Sequence, residues 1–376
     1  VSRRHLDHVD LVRLGSFLAV IAVHAIVTTQ APSNVVASGV LMLLQFGREV
    51  FFALTGFVLV YSASHEQPDA RRFWARRVPF ILVPYLTWTV VYETYAIWAY
   101  GPRGWATIGT DLLSGTAEYH LYFLLVTLQL YLVFPWLLRF VRRTAGHPFA
   151  VLAGVGALNV AWFAALQYGT APHGWAAFFW VHGYELLPTY AVYVLAGCYA
   201  AVHLDAIDRV VTKSARKLLG LSAAAGALAV LAYVAQLAIR APRDAAAVLQ
   251  PAMMLSSAAA GVALYVAGRR WAEGRRIGER VIAEASDISF GVYLAHPLVL
   301  SVLLDHGIGP GAPAVPAAAA VVVAFAGSAA GAVALSVVAR RTPLSMLLTG
   351  RPRRRAAERT RSASPVAVPV LAGMRT

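Results

Sequence analysis

Arg13 and His24 lie eleven residues apart inside one apolar run, Leu11 to Thr28 (LVRLGSFLAVIAVHAIVT). Eleven residues make about three helical turns, which puts both side chains on one face of one helix, about 16 Å apart along its axis. Ionisable groups in hydrocarbon are costly and usually face a protein interior or a wet cavity. An imidazole, with an ordinary pKa of about 6.5, is the natural proton acceptor where a hydroxyl must be activated. A guanidinium suits anionic or developing negative charge. Other polar residues recur within apolar stretches: Arg48 and Glu49, Glu93 near Tyr92, Glu118 with Tyr119 and His120, Gln129, Tyr184 with Glu185, and His296 after Tyr293. His24, Arg48, Glu93, Gln129 and His296 are expected to converge on one interior cavity. Plainer readings stand beside this one. Arg48 and Glu93 could pair only to close a bundle, His296 could serve only as a packing donor before Pro297, and His120 could be an ordinary interfacial ring.

The elements that must position these residues are transmembrane helices. The 376 residues are 59% hydrophobic and only 13% charged, against about 25% charged in soluble domains; mean hydropathy is +0.63. The fold class expected is all-α, a polytopic membrane protein. Ten spans are counted, near 9–28, 36–63, 79–100, 119–140, 149–167, 184–203, 217–237, 249–268, 286–304 and 314–338, each long enough for a ~30 Å core. The second is longer than needed and could begin with an interfacial turn before Gly47. No cleavage-site pattern follows the first span, so it is expected to be retained.

The net charge of +14 is explained by where the cations fall, not by nucleic acid. Arg3 and Arg4, the Arg71–Arg77 group, Arg139 to Arg143, Arg209 to Lys217, Arg269 to Arg280 and the Arg340–Arg355 region alternate with loops that offer only Arg103, Arg240 and Arg243. By the positive-inside rule both termini are cytoplasmic, in the cell (inner or plasma) membrane. Residues 1–345 form the transmembrane domain, and 346–376 read as a basic, disordered tail along the inner leaflet. The single cysteine, Cys198, forms no disulfide within the chain and reads as packing. No cysteine metal cluster exists, and His5 with His8 lacks further ligands, so no metal is expected. His5 and Asp10 have an H-x4-D spacing used by soluble acyltransferases, but no soluble domain is there to hold it. Hydrolase, metalloprotease, P-loop and dinucleotide fingerprints are missing.

Five segments, in order, resemble the acyltransferase-3 family of integral membrane acyltransferases. Arg13-x10-His24 is similar to its first-helix motif. REVFFALTGFVL (48–59) resembles its second-helix segment, with Thr55 where serine is more usual. RRFWARRVPFILVPY (71–85) resembles its basic inner loop, YHLYFL (119–124) its HLWFL element with Tyr122 for Trp, and SFGVYLAHPLVL (289–300) its late histidine element. The resemblance covers residues 6 to about 340. It implies transfer of an acyl group, often acetyl, from cytoplasmic acyl-coenzyme A to a hydroxyl of a carbohydrate or glycolipid acceptor.

On that reading His24 is the general base, Arg48 stabilises the oxyanion and Glu93 orients Arg48. Arg13, Arg76 and Arg77 hold the coenzyme A phosphates at the rim, and the pantetheine arm reaches inward along the Arg13–His24 face. Tyr119, His120, Tyr122 and His296 face the acceptor. A transporter or flippase that makes no bond, and a structural scaffold, are the competing classes.

Overall fold

A computed structural model describes residues 5–63, 69–307 and 316–354, and all regular structure among them is helical. The order is α1 (Asp7–Thr29), α2 (Val35–Leu44), α3 (Phe46–Ser62), α4 (Ala70–Arg77), α5 (Pro79–Tyr100), α6 (Trp105–Ser114), α7 (Tyr122–Arg143), α8 (Pro148–Tyr168) and α9 (Ala176–Val181). Then come α10 (Ala191–Val202), α11 (Leu204–Gln236), α12 (Pro242–Ala245), α13 (Pro251–Glu273), α14 (Glu279–Asp305), α15 (Ala317–Ala339) and α16 (Ser345–Thr349). Among the described residues nine helical stretches are long and apolar enough to cross a membrane. The chain is a multi-pass, all-helical membrane protein.

The sixth expected span, 184–203, is shorter than expected. It opens as two 3-10 turns, Gly183–Glu185 and Leu187–Tyr190, before α10 begins. Pro188 lacks an N–H and disfavours helix at the residue before it, so the first turns cannot form a regular α-helix. The second span is in two pieces, α2 and α3, joined at Gln45. The cations Arg209 to Lys217, expected in a loop, lie instead on α11, which bends at Ser214 (φ −124°, ψ 18°).

The packed unit also runs past residue 345. Ser345 accepts no solvent: it is fully buried and its Oγ donates to the Arg351 carbonyl at 2.8 Å. Arg351 reaches Asp287 at 2.5 Å, and Trp88 Nε1 donates to the Leu348 carbonyl at 3.0 Å. Residues 346–354 of the expected tail are therefore docked on α5 and α14. Residues 355–376, with Arg3 and Arg4, lie outside the described residues.

Two close helix contacts carry the site. At Gly47 a Cβ would fall 2.6 Å from the Ser16 carbonyl oxygen of α1, so α3 approaches α1 about two turns before His24. At Gly197 of α10 a Cβ would fall 1.8 Å from the Ala53 carbonyl oxygen of α3. Small residues let membrane helices approach this closely. Gly197→Ala is expected to destabilise the protein by at least about 1–3 kcal/mol, the usual scale of overpacking. Thermal unfolding in detergent checks this, with Gly220→Ala as the control, because nothing lies within 4 Å of that position.

Candidate active site

The end of α1 meets a histidine cluster. The His24 ring lies 4.3 Å from the Tyr119 ring and 5.4 Å from that of His296, centre to centre. His120 lies 5.6 Å from His296 and 5.1 Å from Tyr293. The other end of α1 meets the same neighbour: Arg13 Nη1 donates to Ser286 Oγ of α14 at 2.8 Å. Positions 13 and 24 thus pair with 286 and 296, so α1 and α14 run side by side in the same direction, and both side chains of the Arg-x10-His pair turn toward α14.

Pro297 explains how His296 is held. In a regular helix the N–H of residue 297 would bond the carbonyl of Tyr293; proline has none. His296 Nδ1 takes that place, 2.7 Å from the Tyr293 carbonyl oxygen. A carbonyl can only accept, so Nδ1 carries the proton and Nε2 of the neutral ring is bare. Nε2 is buried and has no hydrogen bond among the described residues. One residue on, the Tyr92 hydroxyl bridges the next pair of backbone groups: it donates to the Leu294 carbonyl at 2.7 Å and accepts from the Leu298 N–H at 3.2 Å. Tyr92→Phe removes both of these hydrogen bonds. We expect it to cost about 0.5–1.5 kcal/mol per lost bond, read as a lower unfolding temperature in detergent.

A second proline does similar service at the arginine-rich end. Pro135 frees the Tyr131 carbonyl of α7, and Trp74 Nε1 of α4 donates to it at 3.1 Å. This fastens the short basic helix that carries Arg76, which is exposed, and Arg77, which is half-buried beside Tyr131.

Arg48 stands near the start of α3. Its Nε donates to Glu49 Oε1 at 3.1 Å, its Nη2 bonds the same oxygen, and its Nη1 donates to the Tyr122 hydroxyl at 3.1 Å. The guanidinium lies over the rings of Tyr190 (5.0 Å) and Tyr184 (5.6 Å). A cavity of about 540 Å³ is lined by His24, Arg48, Tyr119, His120, Tyr122 and Glu185 among others. That volume falls within the range of small-molecule sites, about 300–1,000 Å³.

Most of the residues singled out from the sequence meet here: His24, Arg48, Tyr119, His120 and Tyr122 line the cavity, and His296 backs it. Glu93 does not. Its carboxylate is bound by Arg103 at 3.1 Å, and Arg103 also holds Asp111 at 2.6 Å. The expected pairing of Glu93 with Arg48 is therefore corrected: Glu49 is the partner of Arg48. Side chains at adjacent positions do not face each other in mid-helix; here Glu49 lies in the first turn of α3, where the pair can close. Gln129, expected to face the cavity, braces the chain behind it, donating to the Glu185 carbonyl at 2.6 Å and accepting from the Leu187 N–H at 2.9 Å. Arg13, Arg76 and Arg77 stay at the arginine-rich end. Arg13 is tied there to Ser286 and, at 3.4 Å, to Asp10, which also meets His5 at 2.6 Å.

The family model for an acyltransferase domain, acyltransferase-3, matches residues 6–339, nearly the whole chain. The chain belongs to the acyltransferase-3 family. No curated protein and no solved structure matches it. Membership makes the chain a membrane acyltransferase in general terms, and the matched range contains every residue of the cavity described above. Sequence reasoning missed Glu49 and Tyr190 as the surroundings of Arg48. The adjacent acidic residue was visible, but the approach of the 3-10 turn at Leu187–Tyr190 was not.

Proposed function

We propose that this acyltransferase-3 chain moves an acyl group, acetyl in the simplest case, from acyl-coenzyme A to a hydroxyl of a carbohydrate or glycolipid. The arginine-rich end faces the cytoplasm, as the charge asymmetry favours, and receives the donor. Coenzyme A phosphates cannot be placed in hydrocarbon, so they stay with Arg13, Arg76 and Arg77, where charge-assisted contacts are available. The thioester reaches the cavity along the Arg13–His24 face.

In the cavity His24 accepts the proton of the acceptor hydroxyl as its oxygen attacks the thioester carbonyl. Arg48, with the Tyr122 hydroxyl it already holds, faces the oxygen that gains negative charge, a kind of donor whose removal typically costs 10²–10³-fold in rate. The carbon–sulfur bond then breaks, and the proton on His24 passes to the departing thiolate. His24 and Arg48 sharing one cavity is the observation that carries this reading. His296 offers a bare, oriented nitrogen beside His24, and Tyr119 and His120 close the acceptor side.

Thermal unfolding of the detergent-purified protein tests it. Acetyl-coenzyme A is expected to raise the unfolding temperature, and to do so less in Arg13→Ala and Arg76→Ala. Stabilisation by a lipid-linked sugar alone, with no response to acyl-coenzyme A, is the result expected of a transporter or flippase and would overturn the assignment.

A further inference from the structure

Glu185 lines the same cavity as His24 and Arg48, yet no step above uses it. It stands on a braced stretch. Gln129 holds its carbonyl from α7, Thr189 Oγ1 donates to the Gly183 carbonyl at 2.7 Å, and the Tyr190 hydroxyl donates to the Tyr184 carbonyl at 2.9 Å. One carboxylate oxygen, Oε2, is 2.7 Å from His182 Nδ1. The other makes no hydrogen bond among the described residues. The neighbouring Tyr184 ring carries the Arg48 guanidinium on its face and meets the Tyr122 ring edge-on at 6.2 Å. The positive charge of Arg48 is already answered by Glu49, so Glu185 is not its counter-ion.

A carboxylate held by one histidine, with an oxygen left unused, on a braced residue that lines an aromatic cavity, is suited to accept hydrogen bonds from adjacent hydroxyl groups. Tyrosine rings beside it supply the apolar faces and polar tips that sugars require. We propose that Glu185 is an acceptor-recognition residue, binding neighbouring hydroxyls of an uncharged sugar so that a further hydroxyl reaches His24, and that His182 is the positioning residue that aims it. This rests on the acyl-transfer reading and adds to it the group that selects the acceptor.

The test uses the full-length protein in detergent, acetyl-coenzyme A, and glycan from host cells lacking the gene, stripped of ester groups by mild base. Water-soluble and lipid-linked fractions are assayed separately, so that the source of the sugar is read from which one turns over. Coenzyme A thiol release is measured against glycan concentration. Loss of hydrogen bonds to a charged group is expected to raise the KM for glycan about 10–100-fold in Glu185→Ala. Glu185→Gln, which keeps one accepting oxygen, falls between it and the wild type. His182→Ala shifts the same constant in the same direction. The KM for acetyl-coenzyme A stays unchanged in all three, which also shows that they fold. An unchanged glycan KM in Glu185→Ala overturns the assignment while leaving acyl transfer standing. A wild-type protein that releases no coenzyme A with either fraction overturns the acyl-transfer reading and this proposal together.

Discussion

His24→Ala is expected to lower the rate of acyl transfer about 10²–10⁴-fold, the usual contribution of a positioned general base. The loss should appear in kcat, because the imidazole acts on a proton in flight and makes few contacts that hold either substrate. Binding of acetyl-coenzyme A should survive, since the phosphates are assigned to the far end of α1, beside Ser286 and Asp10. Stability should change little: the His24 ring rests against Tyr119 and His296, and none of the structural hydrogen bonds described above passes through it. Retained turnover in folded, membrane-inserted His24→Ala would remove the base from the mechanism. In that case His296, whose bare Nε2 stands in the same cluster, becomes the first residue to exchange.

The second large effect concerns Arg48 and Glu49. Breaking a buried ion pair from one side strands a charge, at a cost of about 3–5 kcal/mol. Arg48→Met should therefore destabilise the protein by that amount, because the Glu49 side chain is almost wholly buried. Removing both charges is a different experiment. Replacement of a buried pair by apolar residues of similar volume is often neutral, so Arg48→Met with Glu49→Met should regain most of the unfolding temperature. It should not regain activity, since the donor for the developing oxyanion is gone. That split separates a charge needed for catalysis from one that only closes a bundle. Full activity in the stable double variant would reduce Arg48 to a structural role.

Much of this arrangement was legible because membrane helices carry few polar residues, and each one stands out. The Arg13–His24 spacing needs only the helical repeat to put both on one face, and both do turn toward α14. The late histidine is marked by its own proline: Pro297 removes the hydrogen bond that would otherwise have occupied the Tyr293 carbonyl, and the side chain next to it completes the bond. What the sequence hides is the partner of each charge. Glu93 and Glu49 look equivalent as acids in apolar segments. Only the packed structure brings Arg103 to Glu93 and leaves Glu49 to Arg48. The docked segment 346–354 was hidden for a related reason. Its arginines read as a loose tail along the inner leaflet, yet Arg351 is bound by Asp287, which also holds Arg340, and α16 is anchored by Trp88. Glu185 sat in view as the start of a span, but Pro188 breaks that span and turns the residue into cavity wall.

Mass spectrometry of surface glycans and glycolipids from the natural host, with and without the gene, tests acyl transfer most directly. A specific acyl mass should vanish when the gene is removed, return with the wild-type protein, and stay missing with His24→Ala produced at the same level. Glycans of unchanged mass in all three strains would contradict the acyltransfer mechanism.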